Sequence, residues 1–451
     1  MKEIEHFLEA AAGWVWNYPL LILLMGGGIF FMVYSRFLPF RYFGHAINIL
    51  RGKYDDQSDP GQINHFQALS GALAATIGMG NISGVAVAIA TGGPGALFWM
   101  WVSAFFGIAT KFFTCTLAVL YRGKDSKGEV QGGPMYFIVE GLGKKWRSLA
   151  IMFSIFGLLG ATPLFQSNQI VQAIEDIIFI PAGFNTDYSL YLNISIGIIL
   201  MILTGLVIFG GITRIGKVAS RLVPSMVVIY ILGIIFILVV NASKVLPSFT
   251  LIFKDAFSGE AAMGGALGAL IITGVRRAAF SNEAGIGTAP MMHGAAKTKE
   301  PVREGLVAML GPAIDTLIIC TLTGMGILVT GVWKHSDASG ISLTAEAFAT
   351  SLPLVGTYLL ALCVLIFGFT TIFGLAYYGK KCFIFLFGDQ KSRLFDYWYV
   401  GLIMLGSVST LKGIIAFVDI GYGLMAFPTM IGAILLAPKV LKAARKYFEE
   451  L

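Results

Sequence analysis

The chain is a close succession of apolar runs of about 20 residues, each bounded by charged or turn residues, and that pattern leaves few folds open. In hydrocarbon every backbone N–H and C=O must be satisfied within the protein, so such runs become helices. Read by hydropathy and punctuation, they fall near 18–38, 67–91, 95–120, 148–174, 189–210, 219–241, 262–292, 305–331, 354–379, 396–411 and 414–437. Two shorter pieces, 132–142 and 342–350, read as helices at or outside the membrane surface. The expectation is an all-α polytopic membrane protein with about 11 transmembrane helices. One domain spans 1–451, leaving no space for a sizeable soluble part. Composition agrees: 56% of residues are hydrophobic and 13% charged, against about 45–50% and 25% in soluble domains.

The net charge of +7 could suggest nucleic acid, but its distribution points to the bilayer instead. Glu3, Glu5 and Glu9 precede the first run, and Arg36, Arg41, Arg51 and Lys53 follow it, the wrong polarity for a cleaved signal peptide. With the N-terminus outside, 27 of the 32 Lys and Arg fall in cytoplasmic segments, Arg276, Arg277 and Lys127 included. Only Lys2, Lys244, Lys254, Lys334 and Lys412 remain outside. The positive-inside rule then predicts a multi-pass cell-membrane protein with a cytoplasmic C-terminus and no nucleic-acid partner.

Two runs are broken. In the second, Gly78, Gly80 and Gly84 with Thr76, Asn81 and Ser83 interrupt the apolar stretch where the midplane should fall. Glycines here could serve close helix packing, or mark an unwound point beside hydrogen-bonding side chains. The seventh carries Gly264, Gly265, Gly268, Gly274, Gly285 and Gly287, Arg276 and Arg277, and then Ser281, Asn282 and Glu283. The second run ascends and the seventh, five spans later, descends. Two interrupted spans of opposite direction at matching positions are the pointer to an inverted-repeat secondary transporter.

A break offers amides at one half-helix end and carbonyls at the other. The carbonyls of Ala74, Ala75 and Ile77 would face a cation, and the amides of Met79 and Gly80 a carboxylate. Thr76 and Asn81 add side-chain oxygens. Thr370 and Thr371 form a hydroxyl pair deep in the ninth span, readable as cation ligands or as hydroxyls bonded back to their own helix. Asp315, inside the eighth span, requires an interior partner, structural or ionic. Asp419 is expected to reach the interface. In the fourth span Phe165, Gln166 and Gln169 are candidates to line a central cavity. Ser281, Asn282 and Glu283 fit a gate or structural caps equally. The five histidines lie near span ends or in loops, giving no His–carboxylate metal constellation, and Cys115, Cys320, Cys363 and Cys382 read as small buried hydrophobes. No Walker motif or nucleophile elbow is present in the sequence. An ATP-driven pump or an enzyme is therefore not expected.

GGPGALFWMW (Gly92–Trp101), RRAAFSNEAGIGTAP (Arg276–Pro290) and the spacing of QGGPMYFIVEGLG (Gln131–Gly143) resemble signatures of the alanine or glycine:cation symporter family. The resemblance covers essentially the whole chain. It implies a five-plus-five inverted repeat of the leucine-transporter type, with an extra helix at 18–38 and repeats at 67–241 and 262–437. GMGN, Gly78–Asn81, is similar to the unwound run of the first core helix in that fold. The resemblance implies that the substrate carboxylate meets the Met79 and Gly80 amides and its amine the carbonyls around Thr76 and a second break at Ile272, Thr273 and Gly274; with Ala75, Gly78, Asn81 and the fourth-span candidates Phe165, Gln166 and Gln169 these make up the expected substrate site. It implies a sodium site at the Ala74 and Ile77 carbonyls with Thr370, Thr371 and the Phe367 carbonyl. Ala278 and Thr288 depart from the commoner Gly and Ser, which weakens any transfer of substrate selectivity. The implied function is sodium-coupled import of alanine or glycine by alternating access, with no cofactor beyond the coupling ion. Proton coupling through Asp315 or Glu283 is the alternative, and a passive channel a more distant one.

Overall fold

The computed structural model describes residues 2–126, 128–179, 183, 189–257, 266–336, 338, 340–353, 355–409 and 411–451. The expected start of the seventh span, with Gly264 and Gly265, and residue 354 of the ninth lie outside these, as does Lys127. Among the described residues the chain is helical apart from one two-stranded hairpin, β1 (Gly123–Lys124) with β2 (Val130–Gln131). The helices used below are α1 (Lys2–Val15), α2 (Tyr18–Tyr34), α3 (Phe43–Leu50), α4 (His65–Thr76), α5 (Val85–Gly92) and α6 (Ala96–Leu120). They continue with α7 (Arg147–Gly160), α8 (Leu164–Ile174), α9 (Ser189–Ile208), α10 (Gly211–Val240), α11 (Ala242–Ala256), α12 (Ala266–Asn282) and α13 (Ala289–His293). The last are α14 (Pro301–Ala308), α15 (Thr321–Thr330), α16 (Ile341–Ser351), α17 (Gly356–Phe387), α18 (Ser392–Val408) and α19 (Leu411–Glu449).

The polytopic architecture expected from the apolar runs is present. Eight helices among the described residues are long and apolar enough to cross a membrane, or nine when the bent pair α4 and α5 is one span. A count of eleven would need α12 and α18 as well, each 17 residues, at the short limit for a span. The outer faces are apolar: Ile198, Ile199, Ile202 and Leu206 on α9 and Leu232, Ile235 and Val239 on α10 are exposed where a soluble protein would carry charge.

Local chemistry explains most boundaries. Asn64 and Gln67 form a capping box that starts α4. Asn17 caps α2, which has Pro19 in its first turn. The fourth span divides into α7 and α8 around Pro163, because proline cannot donate to the preceding turn. Two elements are unforeseen: α1 packs along α19, and α11 packs on α6 and α15. The short pieces near 132–142 and 342–350 appear as a helical stretch over 134–142 and as α16.

At the centre α4 lies between α10 and α17. Its contact with α17 is intimate, since a Cβ at Gly374 would stand 3.0 Å from the Ala75 backbone N. On another side α12 runs along α6, and a Cβ at Gly80 would stand 3.3 Å from Ser281 Cα of α12. The first break therefore sits between α12 and α17.

Candidate functional site

The break after Thr76 is real. α4 ends at Thr76, Ile77 is extended (φ −72°, ψ 98°), and the chain resumes as a π-helical turn over Gly80–Gly84 leading into α5, bent by 55° from α4. One hydrogen bond accounts for the interruption. The Gly78 N–H, which in a continuous helix would bond the Ala74 carbonyl, donates to Asn81 Oδ1 at 2.9 Å. The Ala74 carbonyl thus loses its usual donor next to buried Ala75 and Ile77.

Asn81 is anchored in turn. Its Nδ2 donates to Asp315 Oδ1 at 2.7 Å and to the Asp315 carbonyl at 3.2 Å, and lies 3.4 Å from Cys320 Sγ. Asp315 sits on a π-helical stretch, Ala313–Cys320, within the eighth span. Ser281 Oγ at 2.7 Å and Thr316 Oγ1 at 2.9 Å donate to its other oxygen. The partners of this carboxylate are thus an amide and two hydroxyls, all buried.

The expected threonine pair divides. Both hydroxyls donate to the Phe367 carbonyl, Thr370 at 3.0 Å and Thr371 at 2.9 Å. Thr371 Oγ1 then faces the break, 2.5 Å from where a Cβ at Gly78 would stand. Thr370 Oγ1 instead turns toward Met226 Sδ on α10, at 3.6 Å. The Thr371 hydroxyl and the Phe367 carbonyl, 3.9 Å from where a Cβ at Gly78 would stand, thus put oxygen atoms beside the break.

On the side of the break away from His65 lies a cavity of about 510 Å³. Met79, Gly80, Phe165 and Gln169, all foreseen, line it, together with Ser83, Gln172, Arg277, Phe280, Ser342 and Asp419. Phe165 and Phe280 meet edge to face with centroids 6.2 Å apart. Thr76, Gly78, Asn81 and Gln166 are not among the lining residues. Asn81 stands behind the wall as its support.

Several expectations are corrected. Ile272, Thr273 and Gly274 form no break, because α12 runs unbroken from Ala266 to Asn282. Gly274 is there for packing: a Cβ would stand 2.7 Å from the Ala96 carbonyl oxygen and 2.6 Å from Trp99 Cβ. Thr273 lies against Gly92 of α5. The second interruption follows at 283–288, where Glu283 (φ 53°), Gly285 (φ 89°) and Gly287 (φ 106°) take left-handed conformations. Asn282 Oδ1 caps this turn through the Ala284 N–H at 2.9 Å, and Glu283 accepts bonds from Thr288 and Tyr422. Asp419 does not reach an interface; it is buried and pairs with Arg276 at 2.5 Å. Within α12, Arg277 lines the cavity and Arg276 pairs with another of its lining residues, so neither lies in the segment beyond the helix. A hydrogen-bonded cluster outside those expectations joins Glu304 on α14 to His65 and His293 Nδ1, the latter at 2.5 Å. Among the described residues no group of His, Cys, Asp and Glu is arranged to hold a metal ion. Sequence proximity could not reveal these pairs, whose members lie 143 and 239 positions apart.

Over residues 1–451 the chain matches the profile of the sodium:alanine symporter family. It is 41% identical to an uncharacterized transporter of Haemophilus influenzae over 457 residues, covering 99% of this chain and 97% of that one. The sodium/alanine symporter AgcS of Methanococcus maripaludis is 39% identical over 443 residues, with 96% and 95% covered. The probable sodium/glutamine symporter GlnT of Bacillus subtilis is 36% identical over 449 residues, with 98% and 91% covered. The structure of MhsT in complex with L-phenylalanine aligns with a TM-score of 0.62 at 15% identity, over 84% of this chain and 89% of MhsT, a likeness of fold.

Proposed function

This chain belongs to the sodium:alanine symporter family, and we propose that it imports alanine or glycine together with sodium by alternating access. The family is one of transporters, so the protein is not an enzyme, and its leucine-transporter-type helical fold places it in a membrane. The observation that carries the reading is the Gly78 break, where Asn81 takes the Gly78 N–H, the Thr371 hydroxyl faces Gly78, and a cavity begins at Met79 and Gly80.

In this reading the substrate carboxylate meets the Met79 and Gly80 amides. Sodium takes the Ala74 and Phe367 carbonyls with Thr371, and Ile77 shapes the turn. Filling the cation position stabilises the unwound backbone and raises affinity for the zwitterion, and by linkage the zwitterion raises affinity for sodium to the same degree. Phe165 and Phe280 bound the space available to the side chain, which favours a small substrate. The residues before 67 form an extra N-terminal element, with repeats over 67–241 and 262–437. The N-terminus is external and the His65 side of the bundle cytoplasmic, as the loop charges suggest.

Uptake of labelled alanine and glycine into proteoliposomes under imposed sodium, lithium and proton gradients tests the proposal. Accumulation driven by sodium is the expected result. Uptake indifferent to sodium but driven by a pH gradient, and abolished in Asp315→Asn, would replace sodium by the proton.

A further inference from the structure

Three stretches with no part in substrate or cation binding meet on the His65 side of the bundle: 60–63 ahead of α4, Gly132 and Gly133 after the hairpin, and 294–298 after α13. The Gln62 and Ile63 N–H groups donate to the Ala295 carbonyl at 2.8 and 3.3 Å, Lys297 N–H to Ile63 at 2.7 Å, and Thr298 N–H to Pro60 at 3.2 Å. The result is a parallel bridge between the chain entering the first broken span and the chain leaving the second. Arg122, next to β1, closes over it. Its Nε donates to the Gly294 carbonyl at 2.8 Å, Nη1 to Thr298 at 3.0 Å and Pro60 at 3.2 Å, and Nη2 to Ala296. Four carbonyls are held by one planar guanidinium. Gly132 seats the hairpin on this seam, since its Cβ would fall 2.5 Å from Gly294 Cα. That accounts for the first glycine of the QGGP motif, and the second, Gly133, takes a positive φ of 135°.

We propose that Arg122 is a positioning residue of the transport cycle, the clasp that keeps the His65 side of the bundle shut until both broken spans are ready to part. This rests on the alternating-access reading. The cavity reaches the Gly78 break from the opposite side, so release on the His65 side requires α4 to separate from α13 and α14. The Pro60–Ile63 and Gly294–Thr298 pairing lies across that separation, with the His65–Glu304–His293 bridge behind it. Arg122 suits the task because its carbonyl bonds are charge-assisted yet made to no carboxylate, so nothing anionic is left stranded when they open. Burial pulls its guanidinium down to about 10, which leaves it a cation at neutral pH.

The reporter is Met292→Cys, a position buried on α13 facing Gly71 of α4 across the seam, where a Gly71 Cβ would stand 2.8 Å from Met292 Sδ. The full carrier, with its own four buried cysteines as background, is treated with a membrane-impermeant maleimide from the His65 side in inside-out vesicles, and from the other side as control. Arg122→Gln is expected to raise the labelling rate of Met292→Cys about tenfold, with Arg122→Lys in between. A folded, monodisperse Arg122→Gln carrier labelled at the parental rate would overturn the proposal. Gly61→Ala provides a second arm that keeps the guanidinium: its Cβ would fall against the Ala296 carbonyl oxygen that Arg122 holds and 2.6 Å from Lys297 Cα, wedging the bridge from the other strand. It should raise labelling in the same direction, and a parental rate there counts equally against the clasp. The labelling rate needs neither alanine nor sodium, so the clasp stands or falls separately from the identity of the transported solute and ion.

Discussion

Asn81 and Asp315, 234 positions apart, are joined by a 2.7 Å hydrogen bond from Nδ2 to Oδ1, and the same Asn81 side chain takes the Gly78 N–H. The unwound point of the first broken span is thereby tied to a buried carboxylate on the eighth. Asn81→Ala would leave the Gly78 N–H and one Asp315 oxygen without partners, each costing about 1–3 kcal/mol. The expected outcome is a carrier with a lowered unfolding temperature in detergent and no sodium-driven uptake. A stable, fully active Asn81→Ala would show that the break needs no such support.

Thr371 faces the break and Thr370 does not. Thr371→Val should raise the sodium concentration for half-maximal uptake about tenfold or more, since losing one ligand of about 1.4 kcal/mol has that effect. Thr370→Val should leave it near the parental value. Sodium titrations of initial uptake rates check both. Equal effects would mean that the helix, not the hydroxyl, is what matters.

Phe165 and Phe280 limit the cavity by an edge-to-face contact. Phe165→Ala should admit larger neutral amino acids as competitors of labelled alanine while weakening alanine itself. An inhibition panel with alanine, leucine, glutamine and phenylalanine reads this out; an unchanged order of potency would remove Phe165 from the substrate wall.

Gly274 and Thr273 make the opposite prediction. Gly274→Val drives a branched side chain into the Ala96 carbonyl and Trp99, overpacking that costs about 1–3 kcal/mol, so the loss is in folded yield. Thr273→Val should keep the parental KM for alanine. A changed KM with intact folding would return this part of α12 to the binding site.

His45 on α3 bonds Tyr447 near the end of α19 at 2.7 Å, and its pKa is lowered by burial first and then by Arg303 and Lys53. A histidine with a depressed folded pKa takes up protons more readily when unfolded, so its neutral contact is stable above the ordinary value of 6.5 and weakens as pH falls below it. The unfolding temperature should drop on acidification through that region, and His45→Gln should flatten the drop. The same slope in both proteins would assign it to other groups.

Much of the fold was legible because hydrocarbon permits so little else. Spans such as 95–120 and 189–210 lie within two residues of α6 and α9 at each end, and the first break was marked by Gly78, Gly80 and Asn81 together. The second was not located, although its signals were present. Gly274 and the pair Gly285 and Gly287 look alike in sequence, but one glycine makes room for α6 and the others supply left-handed turns. Only the neighbouring helix distinguishes them. Asp419 was misjudged for a related reason, because its partner Arg276 lies on another helix and the indole that covers the pair precedes the first expected span.

That indole has a practical consequence. Trp16 Nε1 donates to the Asp419 carbonyl at 2.8 Å, and the ring lies 5.6 Å from the Arg276 guanidinium. Trp16, ahead of α2, thus backs Asp419, a residue of the cavity wall, and a truncation that removes the indole takes away one partner of that wall. Among seven tryptophans, Trp16 is the one in contact with both members of the Arg276–Asp419 pair, which makes its emission a native optical probe of movement in that wall of the cavity.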